Sequence, residues 1–255
     1  MTTTTADARK LYQQVADAVA KAIRGQRYPT GGRLPSERDL AEEFGVSRPT
    51  IREAMIALEI WGLVEARHGS GIYVTAGAKK AAETTEPELD IGAFELTEAR
   101  RLVEGEVCAL AASTITDEEI EQLTQIVKAM IAENAADVAG EKADRSFHVT
   151  IAQATRNAAL VTVVEELWDI RYKSPLCAAM LSRARQAGSR PLIDDHELIL
   201  NALRTRRPAE ARQAMRDHLG RVIEDLLAAT EMEALQKARS ETAARRTELA
   251  RRGSI

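Results

Sequence analysis

The tightest constraint on this chain lies between residues 36 and 74, where two helix starts follow each other with almost no chain between them. Ser36 suits an N-cap, with Asp39 in the place of the usual Glu or Gln of a capping box. The helix it starts, 37–43, meets Phe44-Gly45, and Gly45 is the residue type that a tight helix-ending turn needs. Ser47 caps a second helix with Pro49 in its first turn, running through Ile51, Ala54, Met55 and Leu58 to about Trp61. Gly62 ends it, and LVEARHGSGIYV reads as two short strands around a Gly-rich tip. Upstream, Leu11, Val15, Val19, Ala22 and Ile23 fall on one face of a helix over 11–24, which GQRYPTGGRLP terminates.

Two short helices joined by a Gly turn and followed by a hairpin are the parts of a winged helix-turn-helix. A helix fits the major groove of duplex DNA, and its N-terminal residues reach base edges and phosphates. The outward face of the second helix is expected to present Ser47, Arg48, Thr50 and Arg52, while Ile51, Met55 and Leu58 face inward. Arg matches guanine O6 and N7 with its fork, and hydroxyls suit phosphates. Arg38 on the preceding helix could also reach the duplex. The tip Arg67-His68-Gly69-Ser70-Gly71 is small and basic, as a groove or backbone probe would be. A solvated charged face is the competing reading of any one of these residues.

Charge limits where such a surface can lie. The 255 residues carry 35 Lys plus Arg against 39 Asp plus Glu, a formal net charge of -4. A globally basic nucleic-acid coat is excluded, so any DNA surface is a local stripe. Residues 1–75 hold 10 basic and 9 acidic side chains, and the remainder 25 and 30. No apolar run is long enough to span a membrane, and MTTTTADARK lacks a signal core, so a cytoplasmic location is expected. Cys108 and Cys177 form no CxxC pair and read as buried thiols in a reducing compartment.

The organisation expected is a DNA-binding domain over 8–75, a small, polar linker over 76–88, a helical domain over 89–236 and a charged tail over 237–255. With 4% aromatic residues and only helical periodicity after Leu89, the second domain should be all-α and the protein mainly α. Helices are expected near 92–113, 117–135, 141–155, 157–173, 175–187, 192–206 and 208–236, separated by Thr116-Asp117, Gly140, Asn157, Pro175, Gly188-Pro191 and Pro208.

Three of the four histidines, His148, His196 and His218, fall on three different predicted helices of this domain. Asp144 precedes His148 by one turn, on the same face. Imidazoles and a carboxylate converging inside a helix bundle make a divalent metal site. Three nitrogens and one oxygen suit Zn²⁺ best, with Ni²⁺, Co²⁺ and Mn²⁺ as alternatives. Spacing alone leaves scattered structural histidines as the competing reading.

Residues 11–75, through the run LPSERDLAEEFGVSRPTIREA, resemble the DNA-binding domain of the GntR family of bacterial transcription regulators. That resemblance implies operator contacts at Arg38, Arg48, Thr50, Arg52, His68 and Gly69, with Ser47 and Arg67 as further phosphate or groove contacts. Residues 89–230 resemble the all-helical FCD ligand domain of the FadR subfamily, through EARRLVEGEVCALAA, ADRSFHVTIAQATRN, DDHELILNAL and ARQAMRDHL. It implies that Asp144, His148, His196 and His218 ligate the ion, and that Arg100 faces the ligand cavity. A guanidinium there would take a carboxylate bidentately; the competing reading is a surface Arg100–Glu104 pair. Gly105 stands where the family often has proline, so the first helix of the domain could bend differently. Arg207-Pro208 replaces a common acidic residue before the last helix.

The whole-domain resemblance is nearest to hexuronate regulators of the UxuR and ExuR type. It implies a homodimeric repressor on a palindromic DNA operator, answering to a small carboxylate such as a sugar acid. A metal-dependent enzyme on the helical half is the main alternative; against it stand the absence of HExxH, a Walker loop and a G-x-S-x-G elbow. A third reading is an architectural DNA-binding protein without an effector.

Overall fold

The computed structural model describes residues 10–67, 70–76, 91–136 and 141–229. The expected linker beyond residue 76, the wing tip His68-Gly69, the first residues and the charged tail lie outside them. The described residues divide into two compact units, one over 10–76 and one over 91–229.

In the first unit, α1 (Leu11–Arg24), α2 (Glu37–Phe44) and α3 (Arg48–Ile60) precede a hairpin of β1 (Val64–Arg67) and β2 (Gly71–Val74). The caps act as the sequence suggests. Ser36 Oγ accepts from the Asp39 N–H at 3.2 Å, and the Asp39 carboxylate accepts from the Ser36 N–H at 3.2 Å. Asp in place of Glu therefore still closes the box. Gly45 takes a φ of 64°, in the left-handed region where a β-carbon is unfavourable. Val64 pairs with Val74 and Arg67 with Gly71, antiparallel, and Arg33 adds one bridge to Tyr73. Gly71 has a φ of 109°, and a β-carbon there would stand 2.6 Å from the Arg33 Nε.

The core of this unit joins Val15, Val19 and Ile23 of α1 to Leu40, Ile51, Met55, Leu58, Leu63 and Val74. One expectation for α1 fails: Leu11 is 60% exposed, and Tyr12, Ala16 and Ala20 are buried instead. Leu11 is the first residue of the helix, so the inward stripe starts one position later. Ala22 is only half-buried.

The second unit is entirely helical among its described residues: α4 (Ala93–Thr114), α5 (Asp117–Ala135), α6 (Lys142–Ala154), α7 (Ala158–Lys173), α8 (Pro175–Gln186), α9 (Ile193–Arg204) and α10, helical over 208–229. The remainder of the helix expected to 236 is outside the described residues. Helix α6 is central, packing against α4, α5 and α7, while α9 packs against α4 and α5. Its apolar face supplies Phe147, Ile151 and Ala152 to a core that also holds Leu123, Val127, Trp168, Ile199, Leu203, Met215 and Leu219. Cys108 and Cys177 are buried free thiols.

Gly105 does not break α4. A β-carbon there would lie 2.9 Å from the Arg216 Cγ, so the missing side chain lets Arg216 pass close to α4. No helix of the described residues is long and apolar enough to cross a membrane.

Candidate metal centre and DNA-binding surface

Helix α6 carries two of the four candidate ligands on one face. Asp144 and His148 are one turn apart, and α9 and α10 bring His196 and His218 to them. All four are buried, and one ligand atom from each lies within 4.8 Å of the others. The His196 Nε2 is 3.0 Å from the Asp144 Oδ1, and the His148 Nε2 is 3.5 Å from that same oxygen. The imidazole centroids lie 5.9 Å apart for His148 and His196, 5.5 Å for His148 and His218, and 4.6 Å for His196 and His218. Phe147 closes one side, edge-on to His196 at 5.0 Å.

Each imidazole has its Nδ1 held from outside the quartet. The His148 Nδ1 pairs with the Glu104 carboxylate. The His196 Nδ1 lies 2.7 Å from the Leu192 carbonyl oxygen, and the His218 Nδ1 lies 3.4 Å from the Asp195 Oδ2. An Nδ1–H donated outward fixes the tautomer and leaves Nε2 as the basic nitrogen, the pattern of outer partners around histidine metal ligands. The His148 Nε2 is buried and has no hydrogen-bond partner. A buried polar nitrogen without a partner is costly, and a divalent cation would satisfy it. The residues present thus fit the group.

The outer partners are charged and tied down in turn. Glu104 accepts from the Arg100 Nε at 2.6 Å, and Asp195 accepts from the Arg221 Nε at 2.7 Å. Burial pushes the Glu104 carboxyl up, but the charges of Arg100 and His148 and their hydrogen bonds bring it down to about 2. Burial also opposes ionisation of Asp144. The adjoining imidazoles of His148 and His196 outweigh it and hold the group well below the usual carboxylate range. Burial lowers His218 to about 4 against the hydrogen bond to Asp195, so that imidazole is neutral at neutral pH, as a ligand must be.

A pocket next to this cluster is lined by Arg100, Asp144 and His218, together with Glu141, Arg171 and Arg185. Arg100 has two neighbourhoods in the fold. It borders the cavity, and it pairs with Glu104. The pair is not on the surface: both side chains are 2% exposed. Sequence reasoning missed Trp168, Arg171, Glu141, Asp195 and the outer role of Glu104. Only Asp195, adjacent to His196 in DDHE, carried any signal.

On the first unit, Ser47, Arg48, Arg38 and Arg67 are exposed and Thr50 is half-buried. Ser47 Oγ caps α3 by accepting from the Thr50 N–H at 3.3 Å, and the two hydroxyls lie 2.8 Å apart. Arg67 folds back along the hairpin, its Nε donating to Glu65 at 2.6 Å and its guanidinium 4.5 Å from the Tyr73 ring centre. His68 and Gly69 lie outside the described residues. Arg52 does not face outward as expected. It is 8% exposed and paired with Glu37 at the start of α2. One turn further into α3 than Arg48, its side chain enters the angle between the two helices, where Glu37 supplies a carboxylate.

The family description "Bacterial regulatory proteins, gntR family" matches residues 11–74, and "FCD domain" matches residues 95–221. The Uxu operon regulator of Haemophilus influenzae is 37% identical over 217 residues, covering 84% of this chain and 80% of that protein. The chain belongs to the GntR family. The Exu regulon transcriptional regulator of Escherichia coli K12 is 36% identical over 214 residues, covering 83% of this chain and 82% of its own length. The Uxu operon transcriptional regulator of the same strain is 37% identical over 227 residues, covering 86% and 88%. This GntR-family protein is a DNA-binding transcription regulator of the FCD type and not an enzyme, built from a winged helix-turn-helix and a helical FCD domain.

Proposed function

We propose that this regulator is a cytoplasmic homodimeric repressor whose operator affinity is set by a small carboxylic acid bound beside a divalent metal. The proposed domains are the DNA-binding unit over 8–75, a linker over 76–88, the effector and dimerisation domain over 89–236, and a tail over 237–255. The observation that carries the metal reading is the convergence of Asp144, His148, His196 and His218 around the partnerless His148 Nε2. Zn²⁺ suits this donor set best, ahead of Ni²⁺, Co²⁺ or Mn²⁺. When bound, the ion supplies a Lewis acid that takes a carboxylate oxygen.

The chain's own residues do the remaining work. Glu104, Leu192 and Asp195 orient the three imidazoles, and Arg100 offers a guanidinium to the carboxylate across the pocket. A hexuronate or related sugar acid is the proposed effector, supported by the likeness to the Uxu and Exu regulators. It acts by binding one of two states, DNA-competent or DNA-incompetent, more tightly than the other.

The test is a thermal-shift panel of sugar acids and other small carboxylates on chelator-stripped and metal-reloaded protein. A ligand that binds only the native state raises apparent stability by about 2.7 kcal/mol at a hundredfold excess over its dissociation constant. Stabilisation by a hexuronate only in the metal-loaded form is expected. Stabilisation by another acid alone would replace the hexuronate, and no response to metal would remove the site.

The proposed DNA contacts are Arg38, Ser47, Arg48, Thr50, Arg67 and the wing residues His68 and Gly69, with two copies reading the two halves of a palindrome. Arg52 joins them only by exchanging Glu37 for DNA. Arg48→Ala is expected to weaken operator binding by about 5- to 150-fold, the equivalent of about 1–3 kcal/mol, while acid binding is unchanged. Fluorescence anisotropy against operator and scrambled duplex reads this directly. Equal operator affinity for the variant and the parent protein would sink the assignment.

A further inference from the structure

We infer that Arg171 is a second recognition residue of the acid pocket, reading an uncharged hydroxyl or carbonyl oxygen of the effector at a distance from its carboxylate. This rests on the acid-sensing reading above and names the residue through which a hydroxylated acid would be told from a plain one.

Arg171 lines the same pocket as Arg100, Asp144 and His218. It is only 6% exposed. Its position is set by Trp168: the Arg171 guanidinium carbon lies 4.6 Å from the ring centre, and that of Arg100 lies 4.2 Å from it. One indole thus orients two guanidiniums that border one cavity, because a cation is drawn to an aromatic face. Arg100 also has a carboxylate partner, Glu104, but it stands beside the candidate metal quartet, where a bound cation's charge would draw the effector's carboxylate to that side. Arg171 is tied elsewhere, to the Glu141 carboxylate at the start of α6.

Glu141 decides what Arg171 can recognise. Its carboxylate pairs with Arg171 and lies 3.7 Å from Arg185, so Arg171 already faces a carboxylate inside the protein. A second carboxylate from a ligand would compete with Glu141. A neutral oxygen would not. A guanidinium has five N–H donors, and the described contacts of Arg171 engage one terminal nitrogen, with the Nε buried and lacking an acceptor. A cationic donor that already has a carboxylate partner and whose hydrogen bonds are incomplete calls for a neutral acceptor. Sugar hydroxyls and carbonyls are that chemistry; aliphatic and aromatic monoacids lack it.

The experiment is isothermal titration of metal-loaded full-length protein with D-glucuronate, D-galacturonate, the diacid glucarate and cyclohexanecarboxylate, which keeps a six-membered ring and a carboxylate but has no hydroxyls. The unaltered protein should bind a uronate at least about tenfold tighter than cyclohexanecarboxylate, the scale of one hydrogen bond to a charged donor. Arg171→Gln should lower uronate affinity by about tenfold and leave cyclohexanecarboxylate and metal binding as they were. Arg171→Lys keeps the charge over Trp168 and guards against misfolding, yet loses the planar fork, and should show the same selective loss.

Equal losses for uronate and cyclohexanecarboxylate, or no loss for either, would overturn the assignment and leave metal-dependent acid binding standing. A preference of the unaltered protein for glucarate over both uronates would also overturn it, since a second anion would then have replaced Glu141. Failure of the metal-loaded protein to bind any of the four acids would remove the acid-sensing reading beneath it.

Discussion

His148→Ala is expected to abolish the stabilisation that divalent metal confers on the FCD domain. The full-length parent protein, stripped with chelator and then reloaded, should gain about 4 kcal/mol of apparent stability at a thousandfold excess of metal over its dissociation constant. The variant should gain none. His148 is the ligand whose loss should matter most directly, because its Nε2 is the buried nitrogen without a partner and its Nδ1 is locked to Glu104. Removing it takes out one of four ligands and frees the Glu104–Arg100 pair from its third member.

Two companion variants show whether the effect belongs to coordination. His218→Ala removes a ligand from another helix and should give the same loss. Glu104→Gln keeps all four ligands and changes only an outer partner, so it should weaken metal binding by roughly 10- to 100-fold and not abolish it. Calorimetric scans at several metal concentrations separate these cases. Metal-dependent stabilisation in His148→Ala equal to that of the parent would dismiss the site.

The second large effect is expected at Trp168, which touches no candidate ligand atom in the coordination sense. Its side chain is 0% exposed. The ring centre lies 5.3 Å from the His148 ring, and two buried guanidiniums sit against the indole. Trp168→Ala leaves a cavity in the centre of the helical core and takes the aromatic face from both arginines. Large-to-small core substitutions of this kind cost about 3–5 kcal/mol, and a desolvated cation–π contact adds about 2 kcal/mol. Trp168→Phe keeps a ring and should lose less than the alanine variant. Urea unfolding followed through the helical domain's own transition is the measurement, since a protein of two units need not unfold in one step. A loss below about 1 kcal/mol for Trp168→Ala would mean that the core closes over the gap and that Trp168 is not the support argued for it.

These two residues differ in how they could be found. Asp144 and His148 are one turn apart on a strongly patterned helix, so their common face is readable from spacing. That His196 and His218 join them was implied by the resemblance to FCD domains and not by spacing. Glu104 lies 44 residues from His148, and Asp144 lies 52 from His196; no periodicity links positions so far apart. Trp168 looks like any core aromatic, and Arg171 and Glu141 look like solvated charges. Their roles arise where α6, α7 and the pocket meet.

The DNA-binding unit divides in the same way. Ser36, Gly45, Ser47 and Gly62 set its helix ends because capping and left-handed turns depend on neighbours a few residues away. Among the described residues the predicted helix limits fall within two residues of those observed, and α5 matches at both ends; the end expected at 236 lies outside them. The burial of Arg52 against Glu37 could not be read this way. Helical periodicity places Arg52 with Arg48 on one face, but the crossing of α2 over α3 decides that only Arg48 remains exposed.

The sequence by itself determined the order of the helices, the hairpin and most of the inward positions, because local hydrogen bonding and hydrophobic period are properties of short segments. Tertiary packing alone decided which polar groups share a buried space: the quartet around His148, its outer carboxylates, and the two arginines held by Trp168. Ion pairing and desolvation act through distance in space, and only the folded chain sets that distance.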